Sequence, residues 1–135
     1  MPREDMRDPL DSLTEQIIGA AIHVHRELGP GLLESSYKAC MAFELVERGI
    51  GFEREKELPV VYCGRRLECG YRIDLLVENV IVVELKAVER LEPVHAAQVI
   101  SYLRLSRLRV GLLINFNVKW LRLGGLKRIV SGYPQ

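Results

Sequence analysis

Three charged residues fall inside segments that otherwise read as apolar strands. Asp74 interrupts the alternating run from Tyr71 to Val77. Glu84 and Lys86 interrupt the end of the β-branched run from Val80 to Lys86. Side chains two apart on a strand point the same way, so Glu84 and Lys86 share a face. A charge is costly to desolvate without a partner, so acid, apolar, base at the end of a covered strand is unusual as pure structure. Two carboxylates can hold a hard divalent cation such as Mg2+, which takes oxygen ligands and keeps some of its waters. Such an ion activates water and neutralises charge on a phosphate. A lysine beside it can orient or deprotonate that water, or stabilise the developing charge. A structural Lys86–Glu84 ion pair accounts for the same residues without chemistry.

The hairpin register is a test of these alternatives. Asp74 comes opposite Glu84 only if the connecting loop is odd, most simply Glu78-Asn79-Val80, with Asn79 suited to a left-handed turn. A two-residue loop at Glu78-Asn79 would put Asp74 on the other face unless a bulge restored it. Glu34 is a third acid of interest. At helical spacing it lines up with Met41 and Leu45, either as a first-turn carboxylate favoured by the helix dipole or as one aimed into a cleft beside the sheet. His95, Gln98 and Tyr102 form a polar–aromatic stripe, explained by capping and packing or by reach into the same cleft. His23 and His25 face different ways on a helix and make a poor metal pair. Cys63 and Cys69 read as small strand residues. Trp120, in the basic segment Lys119 to Lys127, could stack on a base, but partial burial is the expectation.

The elements that must carry these residues are legible from periodicity. A helix runs from Ser12 or Thr14 to Leu28 and is stopped by Gly29-Pro30-Gly31. A second runs from about Leu32 to Arg48. Phe52 to Tyr62 is extended with a break near Pro59, and Cys63-Gly64-Arg65-Arg66 is a turn. Tyr71, Ile73, Leu75 and Val77 lie on one face of the next strand. The strand Val80 to Lys86, apolar on both faces, belongs in a central, covered position. A helix over Pro93–Ser106, a strand over Arg109–Phe116 and a short strand over Leu126–Val130 follow. This order predicts an α/β domain with a mixed sheet, helices on both faces, antiparallel hairpins first, and a right-handed parallel crossover from Val80 to Phe116. Residues 1–11 are expected to be a flexible segment and residues 12–135 a single domain.

Composition agrees. The chain has 135 residues, 48% hydrophobic and 27% charged, which suits one globular domain and excludes wholesale disorder. No apolar run could span a bilayer and no signal peptide is visible, so a cytoplasmic location and no membrane partner are expected. Three cysteines suit reduced thiols. Residues 1–60 carry 7 basic and 12 acidic side chains, and residues 61–135 carry 12 and 6. The basic second half is compatible with a polyanionic partner or with ordinary surface charge.

Several segments together resemble one family. Gly31-Leu-Leu-Glu34-Ser-Ser-Tyr37 is similar to the signature of the GxxExxY proteins, a branch of the PD-(D/E)XK nuclease-like superfamily. So are residues 17–30, Tyr71-Arg-Ile-Asp-Leu-Leu, Val83-Glu-Leu-Lys-Ala, His95-Ala-Ala-Gln-Val and Gly111-Leu-Leu-Ile-Asn-Phe-Asn, in the right order over about residues 12–130. The resemblance implies a restriction-endonuclease-like α-β-β-β-α-β core. It implies Asp74 and Glu84 as metal-binding acids, Lys86 as catalytic lysine, Glu34 as an additional acid and Gln98 as a glutamine on the following helix. Ile73 stands where the superfamily name has proline. The expected activity is Mg2+- or Mn2+-dependent hydrolysis of phosphodiester bonds in DNA or RNA. In this reading Glu34 and the Leu85 carbonyl help hold the ion, and Gln98 and Tyr37 support the lysine or the phosphate. Arg72, Arg104, Arg107 and Lys119 steer the nucleic-acid backbone. The rival expectation is a non-catalytic module binding nucleic acid or protein, or a subunit of a larger complex. A homodimer could supply the surface that so short a chain lacks.

Overall fold

A computed structural model of the chain describes residues 10–131. Most of the segment expected to be flexible, residues 1–9, lies outside them, as does the polar end, residues 132–135. The described part runs α1 (Leu10–Leu28), α2 (Glu34–Glu47), β1 (Phe52–Tyr62), β2 (Arg65–Val77), β3 (Ile81–Lys86), α3 (Pro93–Ser106), β4 (Val110–Asn115) and β5 (Leu126–Val130). Helix α1 starts earlier than its stripe suggests. Asp11 belongs to its first turn, where an acid suits the dipole, and accepts a bond of 3.0 Å from Arg128.

The five strands lie in sequence order, with β3 central. Pairing is antiparallel for β1–β2, β2–β3 and β4–β5, and parallel for β3–β4, the pair joined through α3. The sheet therefore has the mixed character expected, and helices cover both faces. On one face α1 and α2 pack Ile17, Ala21, Tyr37 and Met41 against Leu75, Val83, Leu85 and Leu112. On the other, α3 packs Val99, Tyr102 and Leu103 against Leu76, Val82 and Leu113. A strand whose alternate residues feed two cores is apolar on both faces, the pattern of β3 up to Val83 and of β4 up to Ile114.

The hairpin from β2 to β3 uses the odd loop. Val77 pairs with Ile81, and Glu78 and Asn79 take left-handed φ values of 51° and 59°. The loop thus sets the register that brings position 74 opposite position 84. Two features of β2 differ from expectation. The strand begins at Arg65, because Cys63 and Gly64, both with positive φ, make a two-residue turn that pairs Tyr62 with Arg65. In addition, Tyr71, Ile73, Leu75 and Val77 do not share a face. Tyr71 contacts Tyr102 and Ile73 joins the α3-side core, whereas Leu75 and Val77 join the α1/α2 side. Alternation slips at Asp74. Opposite it on β1, Glu55 has φ 49°, and regular pairing skips from Arg54↔Leu75 to Lys56↔Ile73.

Candidate functional site

The slip at Asp74 creates the site. The β2–β3 ladder ends at Leu75↔Val83, and beyond it side chains replace backbone partners. The Asp74 N–H donates to Glu84 Oε1 at 3.1 Å, and the Leu85 N–H donates to Asp74 Oδ2 at 2.8 Å. Two carboxylates thus interlock with the main chain of the two strands, and both are buried, at 8% and 2% exposure. Burial first, and the Asp74 charge second, hold the Glu84 carboxyl well above the ordinary carboxylate range; the Lys86 charge acts in the opposite direction. Lys86, half-buried and two residues along β3, is near enough to exert that charge. Among the described residues no carboxylate lies within 4.0 Å of its ammonium, so an ion pair with Glu84 does not account for it.

The partner of Asp74 is Lys38, from the second turn of α2. Its Nζ lies 2.9 Å from Asp74 Oδ1, 3.3 Å from Glu34 Oε2 and 3.5 Å from Glu55 Oε1. Burial alone would lower the Lys38 pKa; the bond to Asp74, its charge, and the charges of Glu34 and Glu55 together raise it above the ordinary lysine range. Glu34, in the first turn of α2, is thus linked to Asp74 through Lys38. Neither Lys38 nor Glu55 was identified from sequence. Lys38 sits one turn after Glu34 on an ordinary charged helix face. Glu55 lies in the charged run Glu53 to Glu57, and only its left-handed backbone singles it out.

Tyr102, on α3, lies near enough to Glu84 to feel its charge, and Gln98 reaches the site through Tyr102. Gln98 Nε2 donates to the Tyr102 hydroxyl at 3.2 Å. Burial and then the Glu84 charge raise the Tyr102 pKa. With Tyr71 and Arg104 they line a groove of about 500 Å³ between α3 and the β1–β2 hairpin. His95 does not join them, because its Nδ1 accepts the Glu92 N–H at 2.8 Å and caps α3.

Other expected residues lie elsewhere. Tyr37 is fully buried, stacked on Phe116 at 4.6 Å; its hydroxyl donates to the Gly29 carbonyl at 2.6 Å and accepts the Leu32 N–H at 3.2 Å. The expected phosphate contact gives way to a core tyrosine that fastens the loop leading to Glu34. Arg72 is exposed on the hairpin, 3.9 Å from Glu57. Arg107 caps the C-terminus of α3 with φ 61° and precedes the start of β4, whereas Lys86 pairs with Asn115 at its end. Five residues of strand, about 17 Å, separate those ends. Lys119 stands beyond that end, in the loop after β4. Asn115, also not singled out from sequence, is fully buried. Its side chain accepts the Val88 N–H at 3.0 Å and donates to the Val88 carbonyl at 2.9 Å, fixing the chain that leaves Lys86.

The donor set suits a hard cation. Asp74 and Glu84 offer carboxylate oxygens at one point, and their mutual repulsion is what a divalent charge would relieve. Among the described residues no group of three or more His, Cys, Asp or Glu could hold an ion by side chains alone. Main-chain oxygen and water would complete the shell. Both Asp74 oxygens are already bonded, one to Lys38.

A mixed five-stranded sheet, helices on both faces and an acidic pair at the parting of two central strands define the restriction-endonuclease-like α/β class. The family model described as the PD-(D/E)XK nuclease superfamily matches residues 11–129, and the chain belongs to that superfamily. No curated protein and no solved structure matches the chain. No helix among the described residues is long and apolar enough to cross a membrane.

Proposed function

We propose that the chain is a nuclease dependent on Mg2+ or Mn2+, of the GxxExxY branch, that hydrolyses phosphodiester bonds in DNA or RNA. One observation carries this reading: two buried carboxylates, Asp74 and Glu84, meet where β2 and β3 part, with Lys86 two residues along β3. Asp74 and Glu84, helped by Glu34 and the Leu85 carbonyl, would hold the ion. Bound there, the ion supplies charge neutralisation and a more acidic water. Lys86 holds the attacking water through its ammonium and faces the charge that develops on the phosphate. In hydrolysis the water oxygen bonds to phosphorus, the ester P–O bond breaks, and a proton passes to the departing oxygen. Gln98 and Tyr102 wall the groove beside Glu84. Tyr37 acts as a positioning residue through the loop before Glu34. Arg104 lines the groove and steers the backbone, with Arg72, Arg107 and Lys119 contributing at longer range.

The test is a cleavage assay on single- and double-stranded DNA and RNA with Mg2+, Mn2+ or EDTA. Metal-dependent cleavage is expected, falling at least about 100-fold in purified, folded Asp74→Ala, Glu84→Ala and Lys86→Ala proteins. Full activity in those variants would remove the assignment. The Lys38–Asp74 pair favours a second reading, a non-catalytic binding module or a subunit of a larger complex, because the ammonium already neutralises the first acid. Absence of divalent binding in a folded protein would select it.

A further inference from the structure

A second recess lies on the α1 side of the sheet. It measures about 430 Å³ and is lined among others by Arg26, Gly29, Pro30, Lys119, Trp120 and Arg122. Trp120 was expected to be partly buried; it is 61% exposed, with the Lys119 ammonium 5.8 Å from its ring centroid. Among the described residues the charged lining consists of the three cations Arg26, Lys119 and Arg122. The neighbouring acid, Glu27, lines the separate groove between α1 and α2. Two bonds fix the loop that carries these residues. His25 Nε2 donates to the Val118 carbonyl at 2.7 Å, and the Phe116 N–H donates to the Lys86 carbonyl at 2.9 Å. The second bond joins the root of the loop directly to Lys86. The opposite wall, Gly29-Pro30, belongs to the loop that Tyr37 fastens and that leads to Glu34. Both walls therefore continue into residues of the candidate site.

We propose that this recess binds one unpaired nucleotide of a single-stranded nucleic acid, its base stacked on Trp120 and its phosphates held by Arg26, Arg122 and Lys119. An exposed indole supplies a face that any base can stack on, and the cations supply backbone attraction without base preference. Stacking requires the base to be free of a complementary strand, so single strands bind in preference to duplex. The proposal rests on the nuclease reading for the choice of polyanion.

Trp120 is the only tryptophan, so its fluorescence reports on this recess alone. The full chain is titrated in EDTA with an end-labelled single-stranded oligonucleotide of about 12 nucleotides, a length within reach of such sites. Tryptophan emission and label anisotropy are followed together, with duplex of the same sequence and anionic lipid vesicles as separate arms. Quenching that saturates with anisotropy is expected, with weaker binding of duplex. Trp120→Ala and the double variant Arg26→Glu, Arg122→Glu should each weaken binding about tenfold or more, and Trp120→Phe should restore most of it. The double variant alters only exposed side chains, so it decides the matter even if Trp120→Ala fails to fold. Binding that leaves Trp120 emission unchanged and is indifferent to the variants overturns the proposal while the nuclease reading stands. A response to vesicles but not to oligonucleotide also overturns it. Binding through Trp120 without cleavage under Mg2+ or Mn2+ upholds the recess and removes the nuclease reading instead.

Discussion

Lys38 and Glu84 deal with the same excess of negative charge in different ways. Lys38 brings a cation to Asp74, whereas Glu84 meets burial and repulsion that favour its protonated form. Replacing Lys38 with Met leaves the buried Asp74 charge without its partner, so the metal-free protein should lose about 2 kcal/mol or more. The same change vacates Asp74 Oδ1, so Mn2+ should bind more tightly, by about fivefold or more, in calorimetric titration. Unchanged Mn2+ affinity would mean that the ion and the ammonium do not compete. For Glu84 the sign runs the other way. Its folded pKa lies above its unfolded value, so the native state binds the extra proton and stability falls as pH rises from the ordinary glutamate range towards the raised value. Glu84→Gln keeps an oxygen to accept the Asp74 N–H and removes the charge. It should stabilise the metal-free protein at pH 8 by on the order of 1 kcal/mol and flatten its pH dependence, read from melting curves between about pH 5 and 9. Asp74, Glu84 and Lys86 were visible in sequence because each interrupts an apolar strand. Lys38 and Glu55 were not, since a charged residue on a charged helix face or edge strand violates no pattern, and only the backbone reversal at Glu55 brings them together.

The best-read elements are those whose burial repeats regularly. Pro93–Ser106 has proline at its first turn and a stripe that includes Val99 and Leu103, and Phe52–Tyr62 is bounded by glycines; both match the structure end to end. The first half of β2 escaped because Arg65 to Gly70 is exposed throughout and has no inward face to alternate. It is a strand because a tight turn lays it against β1. Pro59 marks the neighbouring irregularity: without an N–H it cannot complete the ladder, and regular pairing is interrupted between Leu58 and Val60 on this edge strand. The depth at which α3 seats on the sheet also depends on one residue. A Cβ added at Gly111 of β4 would lie 2.6 Å from Val99 Cγ1 and 3.4 Å from the Val82 carbonyl oxygen. Val99 is fully buried and β-branched, so it has little rotamer freedom with which to yield. Gly111→Ala should therefore push α3 outward and cost about 1–3 kcal/mol in chemical denaturation. Because Gln98 and Tyr102 move with α3, the groove beside Glu84 should respond too, whereas the recess at Trp120, on the opposite face, should not.

At the scale of the whole molecule, the two cores and the site occupy the middle of the sheet, and the β1–β2 hairpin projects from it. Every residue from Val61 to Arg72 is exposed, including the apolar Val61, Tyr62, Leu67 and Tyr71. Such an arm contributes little to the fold in isolation, since removing exposed side chains away from special backbone features usually changes stability by about 0.5 kcal/mol or less. Joining Val60 to Leu67, which face each other across the ladder, through an Asn-Gly turn would delete residues 61–66 and preserve strand direction. The shortened protein should keep its melting temperature within about 3 °C, because the deleted residues support neither core. Mn2+ binding should also persist, because Asp74 is tied to β3 and α2 and takes no support from the hairpin tip. The alternative outcome is equally specific. A fall of about 10 °C or more, dependent on protein concentration and accompanied by a change from dimer to monomer in sedimentation, would mean that the apolar side chains of the arm are covered by a second copy in solution. The surface added by that copy would then be part of the working molecule, and the groove between the hairpin and α3 would have to be described across two chains.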